Sequence, residues 1–342
     1  MGIDDPENIS ESARRTTLAA VAAAAGVSMP TVSKVVNGRL DVSAATRARV
    51  EEAIRDLRYV PVSGRGRGEE RFVEIVFDDL LNPYAAEIVN GAADAGATGG
   101  VTVIPKRHTG DTPREWARRV SASGRDGIII VTSVLTSEQI ARFHEAGLPM
   151  VVIDTINLPS TKFTSIGSTN FTGGVAATEH LLGLGHRRIG HISGLPTLAC
   201  SVARLHGYRA ALERAAIPTG PVATGSFSYD TGVREALPWL DGPDRPTAIF
   251  AGSDQIAFGV LEAARLTGLR VPQDLSVVGF DDTYAAASTA PPLTTVHQPL
   301  REMGELAVQT LLRLRAGEAI ASHHVELATR LEIRASTAPP PP

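Results

Sequence analysis

The stretch "AAVAAAAGVSMPTVSKVVNG" (Ala19–Gly38) decides how the first part of the chain folds. Alanines fill its first half, Gly26 breaks it, and hydroxyls and a lysine follow. One reading is an export signal, with Arg14-Arg15 as the charged leader, Leu18–Val27 as the apolar run and an Ala-x-Ala cleavage site. Alanine is only weakly apolar, however, and helical order resumes at once. Val27, Thr31, Val32, Val35 and Val36 recur at three- and four-residue spacing, which a cleaved leader does not need. The pattern predicts a helix–turn–helix. Helix one covers about 17–25, with Leu18, Val21, Ala22 and Ala25 facing inward. Gly26 supplies the positive φ that ends it. Ser28 caps helix two, and Pro30 falls in the first turn, where its missing N–H costs nothing. A third helix runs from a Ser43 cap through Thr46, Val50, Ile54 and Leu57 to about Tyr59–Pro61.

Charge points the same way. Ser12–Gly68 holds ten Arg or Lys against four acids, a local +6, so the rest of a chain of net charge −4 carries −10. A small basic block on an acidic body suits a phosphate-binding module joined to something else. On helix two, Ser28, Thr31, Ser33 and Asn37 are donors for phosphate oxygens, and Met29, Pro30 and Lys34 are placed toward base edges. Double-stranded DNA is therefore the expected macromolecular partner.

The 342 residues are enough for two or three domains, and 43% hydrophobic with 20% charged residues is globular composition. No apolar run reaches the ~20 residues of a membrane span. The single cysteine, Cys200, excludes an internal disulfide framework and fits a reducing cytoplasm; a small buried thiol is the expected role. His180, His186 and His191 lack the spacing of helix-borne zinc pairs, and His323-His324 reads as a solvated pair. Phosphate loops, nucleophile elbows and Gly-x-Gly-x-x-Gly motifs do not occur, and "GLGHRRIG" (Gly183–Gly190) has the wrong spacing for a dinucleotide. Neither an enzyme, a metal site nor a cofactor is expected.

From Phe72 onward short apolar runs alternate with amphipathic helices, the signature of parallel α/β sheets. Strands are predicted at 73–77, 101–104, 127–131, 150–153, 188–193, 248–251 and 275–279. Such sheets bind ligands at the carboxyl ends of their strands. Asp78, Asn82, Thr132-Ser133, Asp154, Ser253-Asp254 and Asp281-Asp282 gather there.

"TLAAVAAAAGVSMPTVSKVVNGRLDVSAATRARVEEAIRDLRYVP" (Thr17–Pro61) resembles the DNA-binding headpiece of lactose-repressor (LacI) family regulators. "GSTNFTGGVAATEHLLGLGHRRIGHISG", "SVARLHGYRAAL", "PTAIFAGSDQIAFGVLEAARLTGLRVPQDLSVVGFDD" and "PPLTTVHQPLREMG" resemble that family's effector domain. The resemblance implies an all-α helix–turn–helix headpiece plus a two-lobed, periplasmic-binding-protein-like α/β domain with parallel sheets. It places an N-terminal extension at 1–15, the headpiece at 16–60, a hinge or linker at 61–71 and the effector and dimerisation domain at 72–334. The chain would leave lobe one near Ser165, return near Pro291–Thr295 and cross again around Ala321. Lobe one is then 72–165 and 296–321, lobe two 166–294 and 323–334, and 335–342 forms an unstructured tail.

By position, Arg204 and Asp281 are the leading effector contacts, and Phe227 in "GSFSYD" offers an aromatic platform; Asn82, Tyr84, Asp154, Asn170 and Ser253 are of second rank. Ala20 stands where the family commonly has Asp, and Lys34 where Arg is frequent, so guanine readout there is looser. The hinge departs further. "VPVSGRGRGEER" (Val60–Arg71) has three glycines and no leucine wedge. It reads either as a flexible linker or as an extended arm placing Arg65 and Arg67 in a narrow minor groove. The expected function is a ligand-responsive DNA-binding regulator, a repressor acting as a homodimer in the cytoplasm on palindromic operators, with a sugar as effector. Ending in "RASTAPPPP", the chain is not expected to carry tetramer-forming leucine heptads. The alternatives are a solute receptor, which would have an export signal and no headpiece, and an α/β enzyme acting on sugars or nucleotides, which would show a phosphate loop or paired acid and base.

Overall fold

A computed structural model describes residues 18–36, 42–57, 70–108, 110, 112–132, 137–154, 163–242 and 244–341. The chain divides into two compact units between Glu70 and Arg71. In the first, α1 (Leu18–Ala25), α2 (Met29–Val36) and α3 (Ala44–Asp56) close on a small core. Val21, Val32 and Val50 are fully buried, each burial stabilising by about 1.5–3 kcal/mol. Ala22 and Ala25 complete the α1 face, their small side chains letting the helices approach. Gly26 has φ +63° and no neighbour around its Cβ position, so conformation rather than space requires glycine there. The expected caps are present: Ser28 Oγ accepts from the Thr31 amide at 3.4 Å and Ser43 Oγ from the Thr46 amide at 3.3 Å.

The second unit holds two six-stranded sheets. Its first lobe contains β1 (Phe72–Phe77), α4 (Pro83–Gly99), β2 (Thr102–Arg107), α5 (Pro113–Ala122), β3 (Gly127–Val131), α6 (Ser137–Glu145), β4 (Met150–Ile153) and β5 (Thr164–Ser168). The second begins with α7 (Asn170–Gly183), β6 (Ile189–Ser193), α8 (Ala199–Arg214), β7 (Val222–Thr224) and α9 (Tyr229–Leu240). It continues through β8 (Ala248–Ala251), α10 (Asp254–Leu266), β9 (Ser276–Asp281) and β10 (Thr294–His297). The chain then returns for α11 (Leu300–Arg315) and β11 (His324–Leu327), and recrosses for β12 (Arg330–Glu332).

Strand order is β11-β5-β4-β3-β1-β2 in the first sheet and β12-β10-β9-β8-β6-β7 in the second. Every pairing is parallel except β10 with β12, where Val296 faces Leu331. Covered on both faces, the central strands are apolar without alternation, as in the wholly buried "GIIIV" of β3. Residues of α4 and α11 form one apolar layer of the first lobe, and Trp116 of α5 and Phe143 of α6 form the other. In the second lobe α9 and α10 cover one face and α7 and α8 the opposite one.

All three crossings fall later than the sequence suggested. The chain leaves the first sheet after Ser168, returns after His297, and crosses again between Leu327 and Arg330. The reason is ladder continuity: β5, β10 and β11 stay hydrogen-bonded to the end of each strand, and the turn comes only where pairing stops. The C-terminal segment also corrects its expectation of disorder. Ser336 is buried, its Oγ donating to the Val277 carbonyl at 2.6 Å and accepting from the Thr294 amide at 2.8 Å. His186 Nε2 lies 2.9 Å from the Ala338 carbonyl. Backbone pairing, which composition does not reveal, fixes this proline-rich stretch. No helix among the described residues is long and apolar enough to cross a membrane.

Candidate functional site

The strand ends of the two lobes enclose a cleft of about 390 Å³. Phe77, Asp78, Asp79, Asn82, Tyr84, Val131, Thr132 and Asp154 line it from the first lobe. Leu195, Thr197, Leu198, Cys200, Arg204, Ser226, Phe227, Ser228, Ser253, Gln255 and Asp281 line it from the second. Four residues at or just after these strands hold left-handed backbone: Thr132 (φ +46°), Asp154 (+49°), Asp281 (+119°) and Asp282 (+57°). Such conformations cost about 1–3 kcal/mol each in non-glycine residues and concentrate at binding sites.

Arg204 is the centre of the second-lobe wall. Only 2% exposed, its Nε donates to Asn170 Oδ1 at 2.8 Å and its Nη1 to the Gly252 carbonyl at 2.6 Å. Nη1 also lies 3.6 Å from Asp281 Oδ1. The guanidinium sits 3.8 Å from the Phe280 ring centroid and 5.4 Å from that of Phe227. Helix packing sets its depth: a Cβ on Gly174 of α7 would fall 2.5 Å from the Arg204 carbonyl oxygen, so the two helices touch where glycine allows it.

Asp281 Oδ1 accepts from Gln298 Nε2 at 2.6 Å. Burial pushes the Asp281 carboxyl above the usual carboxylate range, Arg204 opposing and the neighbouring Asp254 adding to the rise. Across the cleft, Tyr84 Oη donates to Asp154 Oδ2 at 2.6 Å and lies 3.2 Å from Thr132 Oγ1. Burial raises Asp154 also, against the pull of Arg204 and the Tyr84 hydroxyl. Cys200 is buried, and burial pushes its thiol up to about 12, which makes it an unreactive wall.

Seven of the eight residues singled out as effector contacts line this cleft. Asn170 does not; it stands behind Arg204, its Nδ2 donating to the Ser168 carbonyl at 3.0 Å, and so positions the arginine. Asn82 and Ser253 are also helix caps, accepting from the amides of Ala85 at 2.8 Å and Ile256 at 3.2 Å. Sequence reasoning missed Leu195, Thr197, Leu198, Ser226, Ser228 and Gln255, which follow strands or open helices without a motif of their own. It also missed Gln298, whose only local signal is a Gln-Pro step after Thr294–His297.

In the first unit α2 is two-faced. Val32 and Val35 are buried, while Ser28, Met29, Pro30 and Lys34 are exposed and Thr31 and Ser33 half-buried. Met29, at 52% exposure, is one of the larger apolar side chains left open to solvent. Asn37, Arg65 and Arg67 lie outside the described residues.

Residues 17–62 match the lacI family of bacterial regulatory proteins, and residues 178–337 match the periplasmic binding protein-like domain. The HTH-type transcriptional regulator DegA of Bacillus subtilis is 32% identical, with 95% of this chain and 99% of DegA covered. Among solved structures, a complex of the transcriptional regulator CelR with cellobiose is 34% identical at a TM-score of 0.72, covering 94% of this chain and all of that one. A lac repressor dimer bound to operator and the anti-inducer ONPF is 29% identical at 0.74, covering 95% of this chain and all of that one. A three-helix unit with an open polar helix face, a two-sheet unit with a cleft between its lobes, and these full-length likenesses converge: the chain belongs to the LacI family of DNA-binding transcription regulators.

Proposed function

We propose that the chain represses transcription by binding an operator as a homodimer through α2, and that an uncharged sugar in the cleft changes its affinity for that DNA. The observation that carries the choice of ligand is the charge of the cleft. Arg204 is its one cation among the described lining residues, and it is already engaged by Asn170, Gly252 and Asp281. Against it stand Asp78 and Asp79, together with Asp154 and Asp281, whose carboxyls burial raises and so inclines to hold their protons. A phosphorylated or other anionic ligand would meet like charge without a free partner, which is costly in a desolvated site. Hydroxyl groups, by contrast, donate well to carboxylates, and Phe227 with Phe77, Val131, Leu195 and Leu198 supplies an apolar wall for the face of a ring.

On the DNA side, Ser28, Thr31, Ser33 and Asn37 would anchor phosphates while Met29, Pro30 and Lys34 read base edges. One headpiece covers one half-site, so a two-fold operator calls for two chains. Strand β1 begins at Phe72, directly after the 61–71 segment, so a change in lobe arrangement is delivered to that segment first. Such a regulator works in the cytoplasm, beside the chromosome.

Thermal unfolding in the presence of cellobiose, ribose, glucose 6-phosphate and cytidine tests the ligand class. A fitting sugar at ~100 times its Kd stabilises by ~2.7 kcal/mol, raising Tm by roughly 5 °C. Stabilisation by the phosphorylated sugar alone would overturn the reading.

A further inference from the structure

Ser253 and Gln255, at the start of α10, line the effector cleft, but Asp254 between them does not. Its side chain turns into the body of the second lobe and is fully buried. Two neighbouring elements meet there. Oδ2 accepts from the Thr283 amide at 2.8 Å and from the Thr283 hydroxyl at 3.0 Å, and Oδ1 accepts from the Thr295 hydroxyl of β10 at 2.6 Å. Glycine makes the room: a Cβ on Gly279 of β9 would fall 2.5 Å from Oδ1. Taking a carboxylate wholly out of water is costly, and its partners here are three neutral donors, none of them a cation. Burial raises the carboxyl, against the pull of Thr295 and Thr283. An apolar residue of the same shape would avoid that cost but would leave the Thr283 amide and both hydroxyls unpaired.

What those bonds hold is the turn after β9. Asp281 (φ +119°) and Asp282 (φ +57°) both have left-handed backbone, which non-glycine residues keep only where their surroundings over-determine it. Each residue of the turn is tied to different elements. Asp281 is bound by Gln298 and faces Arg204. Asp282 is bound by Arg334 at 2.6 Å and lies 2.9 Å from His297 Nδ1. Thr283 is bound by Asp254 through both its main chain and its side chain. The path of the chain just past the left-handed pair is therefore fixed from α10.

We infer that Asp254 is a positioning residue for effector binding: it clamps the 281–283 turn to α10 and β10, so that the Asp281 carboxyl faces the cleft. The inference rests on the reading of that cleft as the effector site. Because Ser253 and Gln255 flank Asp254, the same bonds set the spacing between two parts of the second-lobe wall, the first turn of α10 and the end of β9.

The test compares the full native chain with Asp254→Ala, with Thr283→Val and Thr283→Ser, and with Val260→Ala, which removes core packing from the same helix but none of these hydrogen bonds. Amide hydrogen exchange of the Thr283 segment is followed without ligand, and cellobiose is titrated by calorimetry. Asp254→Ala should speed that exchange and weaken cellobiose, each about tenfold. Thr283→Val, of the same shape without the hydroxyl, should weaken cellobiose about threefold, and Thr283→Ser should restore it. Val260→Ala should lower Tm while leaving exchange at Thr283 and cellobiose affinity unchanged. Unchanged exchange in Asp254→Ala, equal binding by the two Thr283 variants, or as large a loss of affinity in Val260→Ala would each overturn the assignment. Should Asp254→Ala not fold, the Thr283 pair carries both readouts. A native chain that does not bind cellobiose would count against the effector reading, and exchange in the ligand-free protein would still decide what holds the turn.

Discussion

Gln298 Nε2 donates to Asp281 Oδ1 at 2.6 Å, joining a carboxylate of the cleft to a residue of the crossing between the lobes. The same amide accepts from Ser168 Oγ, at another crossing. From there the Ser168 carbonyl accepts from Asn170, Asn170 accepts from Arg204, and Arg204 returns to Asp281. The two crossings and the two charged residues of the second-lobe wall thus form one closed circuit. A third crossing is tied in nearby, where Thr169 and Thr329 hydroxyls lie 2.9 Å apart.

Gln298→Leu opens that circuit at two points. Both partners are buried, and each loses a hydrogen bond worth about 1–3 kcal/mol when its partner is left unsatisfied. Denaturant unfolding should show a loss of a few kcal/mol, and sugar affinity by calorimetry should fall about tenfold. Native-like affinity would mean that Gln298 does not hold Asp281 in place.

Gly174→Ala tests whether the α7–α8 contact sets the position of Arg204. The added Cβ meets backbone at 2.5 Å, which cannot rotate away, so α8 must shift. A loss of about 1–3 kcal/mol is expected from overpacking. It should be accompanied by a larger drop in ligand affinity than a substitution at the open Gly183, which has nothing within 4 Å. Equal effects at the two positions would argue against it.

Acid should reveal His191. Its ring lies between Tyr208 and Phe250, and its Nδ1 sits 2.8 Å from the Phe250 carbonyl. Burial lowers its pKa to about 4 from 6.5. The folded value is below the unfolded one, so the unfolded state takes up the proton first. Stability linked to this group is present above pH 6.5 and is lost as pH falls toward 4, by about 3 kcal/mol in all. The buried carboxylates Asp254 and Asp281 are raised instead and act in the opposite sense, so the measurement is a difference. Relative to His191→Phe, the native chain should lose stability across that window; parallel pH curves would contradict the assignment.

Much of this architecture was legible in the residues. Val21, Ala22, Ala25, Val32 and Val50 form the headpiece core because their spacing permits nothing else, and the caps at Ser28 and Ser43 announce the helix starts. Strands such as "GIIIV" stand out because burial on both faces demands an unbroken apolar run. Strands β5, β7, β10, β11 and β12 were not visible: they are short, several carry hydroxyls, and pairing with distant partners creates them. The same holds for Gln298 and for the docked Ser336, whose roles arise from long-range contacts. Asp281, Arg204 and Phe227 were found through position in the family pattern, whereas the placement of Asn170 behind Arg204 needed coordinates.

The Gly/Arg segment and Lys34 should differ in their salt signatures. Each phosphate neutralised contributes about 0.9 to the slope of log affinity against log salt. If Arg65 and Arg67 lie along the groove, replacing both by Ala removes four phosphate contacts from the homodimer and should reduce that slope by about 3.6 while weakening operator binding. Lys34→Ala should relax base preference at one operator position with little change in slope. An unchanged slope in the double variant would leave residues 61–71 as a plain linker.

Linkage between the cleft and the headpiece is tested most directly by the affinity of the chain for a palindromic duplex selected from random DNA. It is measured by anisotropy at fixed salt, with and without the sugar that raises Tm. The expected result is a shift of about 5–150-fold, with the sugar's own affinity altered by the same factor when operator is present. Superimposable isotherms, with the sugar bound equally well in both cases, would contradict it.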